Sequence, residues 1–478
     1  MASCDGMYTV STAVPGASTR KPLYRKLRPR PNGPPREDIV ANQRARLHGA
    51  MVEAVGTRGY AQTSVAELCR LAGVSKRTFY EQFANREACL QASYEQIVGR
   101  LAKLADASRV AGVADDAELV AVLQTVIRAL ADRPKEARLA LVEMRSAGPG
   151  SRAVLERTYL GIEQAVARLL ADPSTTATSA VVARGVVFGF ERVIRTAILS
   201  GQPVESAALA SSLARWAFAC CAPVSPRLLQ ASRSSRDHDT WPARPKPRYL
   251  SRRGRILRAA AELVTIDGFR QLTMSGIATR VSISEEALLA LYPTPAACYL
   301  AAIERLSVEA LVASLEASQH ELDPGVAARL GIEALLRQIA DDRVLRSVVF
   351  EQAPSAGPQA LDTAARLLQV IVNTYLGRLT DSGGEQSPTE LAATVGALWG
   401  VIQAELRLNE GRGLPTLGDA MTRLALAPAA RREVAPAQTS STGAQDQASW
   451  SNRKPGVARV VRSGDTHPRP RARRTRAA

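Results

Sequence analysis

The chain has 478 residues, of which 46% are hydrophobic and 22% charged, and a formal net charge of +17. Aromatic residues make up only 4%, so Ala, Val and Leu must supply most of the burial, a composition that favours helices over sheets. Apolar stretches such as 181–190, interrupted by Arg184, fall short of the ~20 residues that cross a bilayer, so no membrane association is expected.

In chain order, residues 1–37 are rich in Pro, Ser, Gly and Arg and read as a disordered basic tail. An Ala-rich block follows at 38–222, then a basic linker at 223–253, a second Ala-rich block at 254–427 and a second disordered basic tail at 428–478. The three irregular segments carry net charges of +5, +6 and +8, which leaves −2 on the two blocks together. The basic excess is therefore a property of tails and linker, where it adds salt-dependent, sequence-independent attraction to polyanions. The N-terminus lacks the charged-then-apolar order of a signal peptide, so a cytoplasmic location is expected.

The first block predicts helices throughout. Residues 44–58 carry Leu47, Met51, Ala54 and Val55 at a spacing near 3.6, and Gly59 stands where a C-terminal cap belongs. Ser64 offers an N-cap to 65–72, Gly73 breaks that helix, and a further short helix begins at Ser75. Longer helices are predicted over 85–105, 115–131, 134–146, 152–171, 176–200 and 204–221.

The strip from Thr63 to Phe83 carries the most specific pattern. Val65, Leu68 and Leu71 share one side of the first helix, Gly73 permits a sharp turn, and Val74 plugs the corner where the two helices cross. Phe79 and Phe83 face a core. Ser75, Lys76, Arg77 and Thr78 then stand free at the start of the second helix, where a helix-turn-helix presents polar and cationic groups to base edges. An Arg bonds bidentately to guanine, whereas a Lys more often reaches phosphate. Tyr80 adds a hydroxyl one turn on.

The second block repeats the first. Arg46, Ala50, Glu53, Gly59, Ser75, Cys89 and Ala92 return 209 residues later as Arg255, Ala259, Glu262, Gly268, Ser284, Cys298 and Ala301, and Gly185-x-x-Phe188-Gly189 returns as Gly396-x-x-Trp399-Gly400. Its chemistry differs. Lys76-Arg77-Thr78 becomes Glu285-Glu286-Ala287, Tyr80 becomes Leu289, Arg86 becomes Pro295, and the turn glycine becomes Ser282. Two carboxylates stand where phosphates would lie, so the second copy is expected to keep the frame and not the reading surface. The same pair also favours folding by complementing a helix N-terminus.

Residues 40–95, with Ser64-Val65, Leu68-Cys69, Ala72 to Ser75, Thr78 to Tyr80, Phe83 and Arg86-Glu87, resemble the DNA-binding motif of the TetR family of bacterial repressors. The resemblance implies an all-α fold of two tandem TetR-like units. Each unit has an N-terminal three-helix helix-turn-helix domain, at 38–105 and degenerate at 254–318, and a C-terminal helical ligand-binding and dimerisation bundle, at 106–222 and 319–427. It assigns contact with double-stranded DNA to Ser64, Ser75, Lys76, Arg77, Thr78, Tyr80 and Arg86, the last two on phosphates. Cys69 stands where the family has a small Ala and reads as a core thiol.

Family members pair through their last two helices, so the resemblance implies an intramolecular pseudo-dimer, a homodimer of whole chains, or both. Residues 176–221 and 389–427 would supply the interface, with Trp216, Phe188 and Trp399 as anchors. It also implies a small-molecule effector of unknown identity, for which Glu143, Met144, Arg184 and Arg192 are weak candidates. The six Cys include no C-x-x-C pair, the four His no metal spacing, and no nucleophile elbow, phosphate loop or H-E-x-x-H occurs. Neither metal, cofactor nor enzymatic activity is expected. Two readings remain: a regulator that binds operator DNA through the first copy, and a ligand-sensing or protein-interaction adaptor with weak DNA binding.

Overall fold

The structure, a computed structural model, describes residues 35–109, 115–170, 180–222, 251–379 and 387–429. All of them lie in one compact unit, Met1–Arg432. The predicted tails and linker fall almost wholly outside the described residues. Regular structure among those residues is helical throughout.

The first block forms α1 (Arg36–Arg58), α2 (Val65–Ala72), α3 (Lys76–Gln82), α4 (Arg86–Ala107), α5 (Asp115–Ala131), α6 (Pro134–Leu141), a 3-10 turn (Glu143–Ser146), α7 (Pro149–Leu169), α8 (Ala180–Leu199) and α9 (Ser206–Cys221). α1 starts well before the expected residue 44. Pro35 precedes it, and Glu37 and Asp38 occupy its first turn, where acidic groups complement the helix dipole. α7 likewise begins at Pro149, whose missing N–H costs nothing in the first turn.

The second block forms α10 (Arg252–Asp267), α11 (Met274–Val281), α12 (Glu285–Leu289), α13 (Pro295–Glu316) and α14 (Pro324–Asp341). A short stretch Arg343–Leu345 then runs on as a π turn, Arg346–Glu351, and a single turn, Ala353–Ala356. α15 (Pro358–Leu379), α16 (Pro388–Asn409) and α17 (Gly418–Leu426) complete it. α10 is capped by Ser251 and so starts inside the stretch expected as linker.

Capping residues recur at the same spacing in both blocks. Ser64, Ser75 and Asn85 accept the backbone N–H of Glu67, Thr78 and Ala88, and 209 residues later Thr273, Ser284 and Thr294 accept those of Gly276, Ala287 and Ala297. Each satisfies an N–H that the first helical turn leaves unpaired. Gly73 closes α2 in the left-handed region at φ 61°, and Ser282 closes α11 at φ 56°. A Cβ in that region is unfavourable. Ser282→Gly is therefore expected to stabilise the second block by about 0.5–1 kcal/mol, read as a higher urea midpoint; an unchanged midpoint would show that the strain is relieved locally.

Two cores result. One, holding Leu47, Met51, Leu68, Phe79, Phe83, Leu90, Leu139 and Met144, closes α1 to α4 against α6 and the start of α7. The other is continuous from Leu119 to Ala427 and takes in α10 to α12 through Ile256, Ile277 and Leu288. The first head thus shares a smaller core with α6 and the start of α7, separate from the continuous core that takes in α10 to α12.

The body is joined across the blocks by α8 and α9 against α16 and α17. Small residues let α8 and α16 approach closely: a Cβ on Gly400 would lie 2.1 Å from Phe188 Cγ, and one on Gly189 would lie 2.8 Å from the Ala393 carbonyl oxygen. Trp216 is fully buried and its Nε1 donates to Thr394 Oγ1 at 2.9 Å. Trp399 stacks on Phe350 of its own block, with centroids 5.2 Å apart.

Candidate nucleic-acid interface

α3 is short, but its start is well capped. Ser75 accepts Thr78 N–H at 3.0 Å and shares a 2.9 Å hydrogen bond with the Thr78 hydroxyl. Phe79, fully buried, and Phe83, 4% exposed, pin the helix to the head core. The opposite face is free of packing. Lys76 is exposed, the Arg77 side chain is 90% exposed with only an i,i+4 contact to Glu81 at 3.1 Å, and Tyr80 is 57% exposed with its ring against Phe79. An exposed i,i+4 pair is weak and readily exchanged for a phosphate or a base edge. The expected residues Ser75, Lys76, Arg77, Thr78 and Tyr80 are thus brought together on one short helix.

Ser64 and Arg86 are placed differently. The Ser64 hydroxyl caps α2 through Glu67 N–H at 3.2 Å. Arg86 opens α4, donates to the Thr63 carbonyl and lies over the Tyr60 ring, 4.2 Å from its centroid. The Arg86 head is already engaged with the loop between α1 and α2. Cys69 is buried and its thiol is pushed up by burial, as a core thiol should be.

Sequence reasoning missed Arg46. This buried arginine of α1 donates to the carbonyls of Ala72 and, at 2.7 Å, Gly73, holding the turn between α2 and α3 in place. Its counterpart Arg255 is exposed. The connection of head to body was missed as well. Glu143, buried, accepts Tyr60 N–H at 2.9 Å and pairs with Arg138 at 3.1 Å, and Glu87 accepts the backbone N–H and hydroxyl of Ser151 at 2.8 and 3.0 Å. In the second block Gln352 accepts Phe269 N–H at 3.3 Å, the same pairing 209 residues on. An acid or amide at this offset in both blocks is the signal that could have found it.

Of the effector candidates, Glu143 serves this joint, Met144 is core and Arg184 pairs with Glu163 at 3.1 Å. Arg192 lies across Gly396 of α16, and burial, then Arg195, lower it from its ordinary value.

His48, buried on α1, shares a 2.9 Å hydrogen bond with Ser93 and meets the Phe83 ring edge-on. Burial, then Arg44, lower it from 6.5 to about 4. The unfolded chain takes up a proton between these values that the folded head refuses. The head's stability is therefore full above pH ~6.5 and falls by up to about 3 kcal/mol as pH drops toward 4. His48→Gln is expected to flatten this acid dependence in urea titrations; a dependence unaltered by the variant would place its origin elsewhere.

In the second block Glu285 and Glu286 occupy the exposed first turn of α12, Leu288 is buried and Leu289 is 45% exposed. The outer face of this turn thus carries carboxylates. Among the described residues no helix is long and apolar enough to cross a membrane, and no group of three or more His, Cys, Asp or Glu is placed to hold a metal ion.

No curated protein matches the chain. Solved structures with similarity include the fatty acid degradation regulator FadR from Bacillus halodurans (17% identity, 37% of this chain and 94% of that one, TM-score 0.34) and FadR from Bacillus subtilis in complex with stearoyl-CoA (18%, 36% and 96%, TM-score 0.34). A TetR-like transcriptional regulator from Rhodococcus sp. RHA1 is 19% identical over 36% of this chain and 94% of that one, with a TM-score of 0.32. Residues 50–93 match the model of the bacterial regulatory proteins of the tetR family. With α2 and α3 capped, turned and packed as a helix-turn-helix, this part of the chain is similar in sequence to the tetR family of bacterial regulatory proteins.

Proposed function

We propose that the protein is a transcriptional repressor that reads operator DNA through α3, in the cytoplasm, and leaves it when a small-molecule effector binds the helical body. The observation that carries this reading is the short helix fixed by Ser75, Phe79 and Phe83 while Lys76, Arg77 and Tyr80 stay exposed. Arg77 is assigned to a base edge, Lys76 and Tyr80 to phosphates, and Ser75 and Thr78 to the helix start that aims them. Ser64 supports the motif by capping α2, and Arg86 joins the phosphate contacts by leaving the Thr63 carbonyl.

The chain is read as two tandem TetR-like units, 38–222 and 254–427, closed on each other as a pseudo-dimer through α8, α9, α16 and α17. Support comes from the offset of 209 shared by caps, turns and the Tyr60 and Phe269 joints, and from the Trp216 to Thr394 bond. One chain then presents one competent head, and its site is a single half-site in place of a palindrome. The basic tails at 1–37 and 428–478 and the linker at 223–253 add affinity without sequence preference.

The test is recovery of bound fragments from a genomic DNA pool by the purified protein, with the mass of the complex measured alongside. A single enriched half-site with one chain per complex is expected. A palindrome with two chains would replace the internal pair with a homodimer, and no enriched motif would favour the adaptor reading.

A further inference from the structure

A cluster of charged and phenolic groups stands where α7, α8 and the Glu143–Ser146 turn meet α16. Arg145 pairs with Glu191 and donates to the Tyr159 hydroxyl at 2.7 Å; Arg195 pairs with the same Glu191 at 2.9 Å. The Tyr159 ring stacks on Phe188, 5.1 Å between centroids, beside the contact of Phe188 with Gly400. Arg407, reaching from α16 of the other block, interacts electrostatically with Arg145, Arg152, Glu156 and Tyr159. Arg192 interacts with the same Glu191 and Arg195 and with Asp362, so five guanidinium groups face three carboxylates.

The fold does not require this chemistry. At the matching positions of the second block Arg152 is Leu361, Glu156 is Ala365, Tyr159 is Leu368, Glu191 is Ile402 and Arg195 is Leu406. Ala365, Leu368, Ile402 and Leu406 are buried there, so the same helices close with apolar side chains. Replacing an apolar contact by partly dehydrated charges brings little stability or costs some. Such a cluster with unbalanced positive charge is a candidate for binding. Burial, then the Arg145 charge, lower Arg407 from its ordinary value, whereas for Arg145 the lowering by burial is outweighed by Glu191 and Tyr159. The Arg145 side chain keeps 36% of its surface exposed, and Arg152 and Arg407 are exposed, so a solute has access.

We propose that Arg145, Arg152 and Arg407, with the Tyr159 hydroxyl, bind the carboxylate or phosphate group of a small-molecule anion at the junction of the two blocks. An anion restores the charge balance and accepts from planar guanidinium groups in the geometry they favour. Arg145 belongs to the same turn as Glu143, so the site adjoins the joint that holds Tyr60. The site stands independently of the DNA-reading assignment, because it is tested without DNA.

Titration calorimetry of the full chain with inorganic phosphate, and separately with sodium octanoate, each against sodium chloride at equal ionic strength, tests it. Saturable heat with at least one of the two anions is expected, and at least about tenfold weaker binding in Arg407→Gln and in Arg152→Gln. Leu408→Gln, at the exposed neighbour of Arg407, is expected to bind as the wild type does. Heat with phosphate alone assigns a phosphate ligand, and heat with octanoate alone a carboxylate. No heat with either anion, binding unchanged in both arginine variants, or equal loss in Leu408→Gln would overturn the proposal.

Discussion

Trp216→Ala is expected to lower the stability of the folded body by about 3–5 kcal/mol, the range for emptying a fully buried large aromatic site. Trp216 has no exposed surface, packs 6.1 Å from the Phe190 ring and fills the space over Gly189, where a Cβ would lie 2.3 Å from its Cη2. The surrounding helices are held by the continuous core on both sides, so the site has little freedom to collapse. Thr394→Val keeps the shape and removes only the acceptor of the indole N–H, which leaves a buried donor unpaired at a cost of about 1–3 kcal/mol. The difference between the two variants separates packing from the hydrogen bond. Urea denaturation at two protein concentrations adds a further reading. An interface closed within one chain gives midpoints independent of concentration, while a midpoint that rises with concentration would point to pairing between chains.

What the sequence made legible is short-range. Caps at Ser64, Ser75 and Asn85 and the turn at Gly73 each involve residues within a few positions of one another, so side-chain type and spacing suffice to find them. The packing of Phe79 and Phe83 followed from their four-residue spacing. Repetition gave the next level: the offset of 209 paired Gly73 with Ser282 and Lys76-Arg77 with Glu285-Glu286 before any contact was known.

Other features depend on partners far away in the chain. Arg46 looked like any helical surface arginine, because its partners are backbone carbonyls of Ala72 and Gly73, which no side-chain pattern announces. Arg86 matched the family motif, yet its head rests on the Thr63 carbonyl and the Tyr60 ring. The stack of Trp399 on Phe350, 49 residues earlier in the chain, was not legible either. The division into two cores, one joining α1 to α4 with α6 and α7 and the other taking in α10 to α12, was likewise invisible in composition, since both blocks use the same apolar residue types.

The charges on the two helices that open at Ser75 and Ser284 differ in sign. The double variant Lys76→Glu with Arg77→Glu gives the first head the charges that the second already carries at Glu285 and Glu286. Loss of one base-edge contact costs about 1–3 kcal/mol, and loss of one phosphate contact reduces the salt slope by about one. Charge reversal adds repulsion from the duplex, so specific affinity is expected to fall by more than about 100-fold. Neither side chain is part of the head core, and Ser75 still caps α3, so the variant should fold with an unchanged urea midpoint. Arg77→Ala alone is expected to relax the preference at one base position, at a cost of about 1–3 kcal/mol. Glu285→Ala is expected to leave affinity within about twofold, because the second head is read as making no sequence-specific contact. Fluorescence anisotropy on the recovered half-site, at two salt concentrations, measures all three variants. Equal losses from Arg77→Ala and Glu285→Ala would mean that both heads touch DNA, and the single-head model would fall.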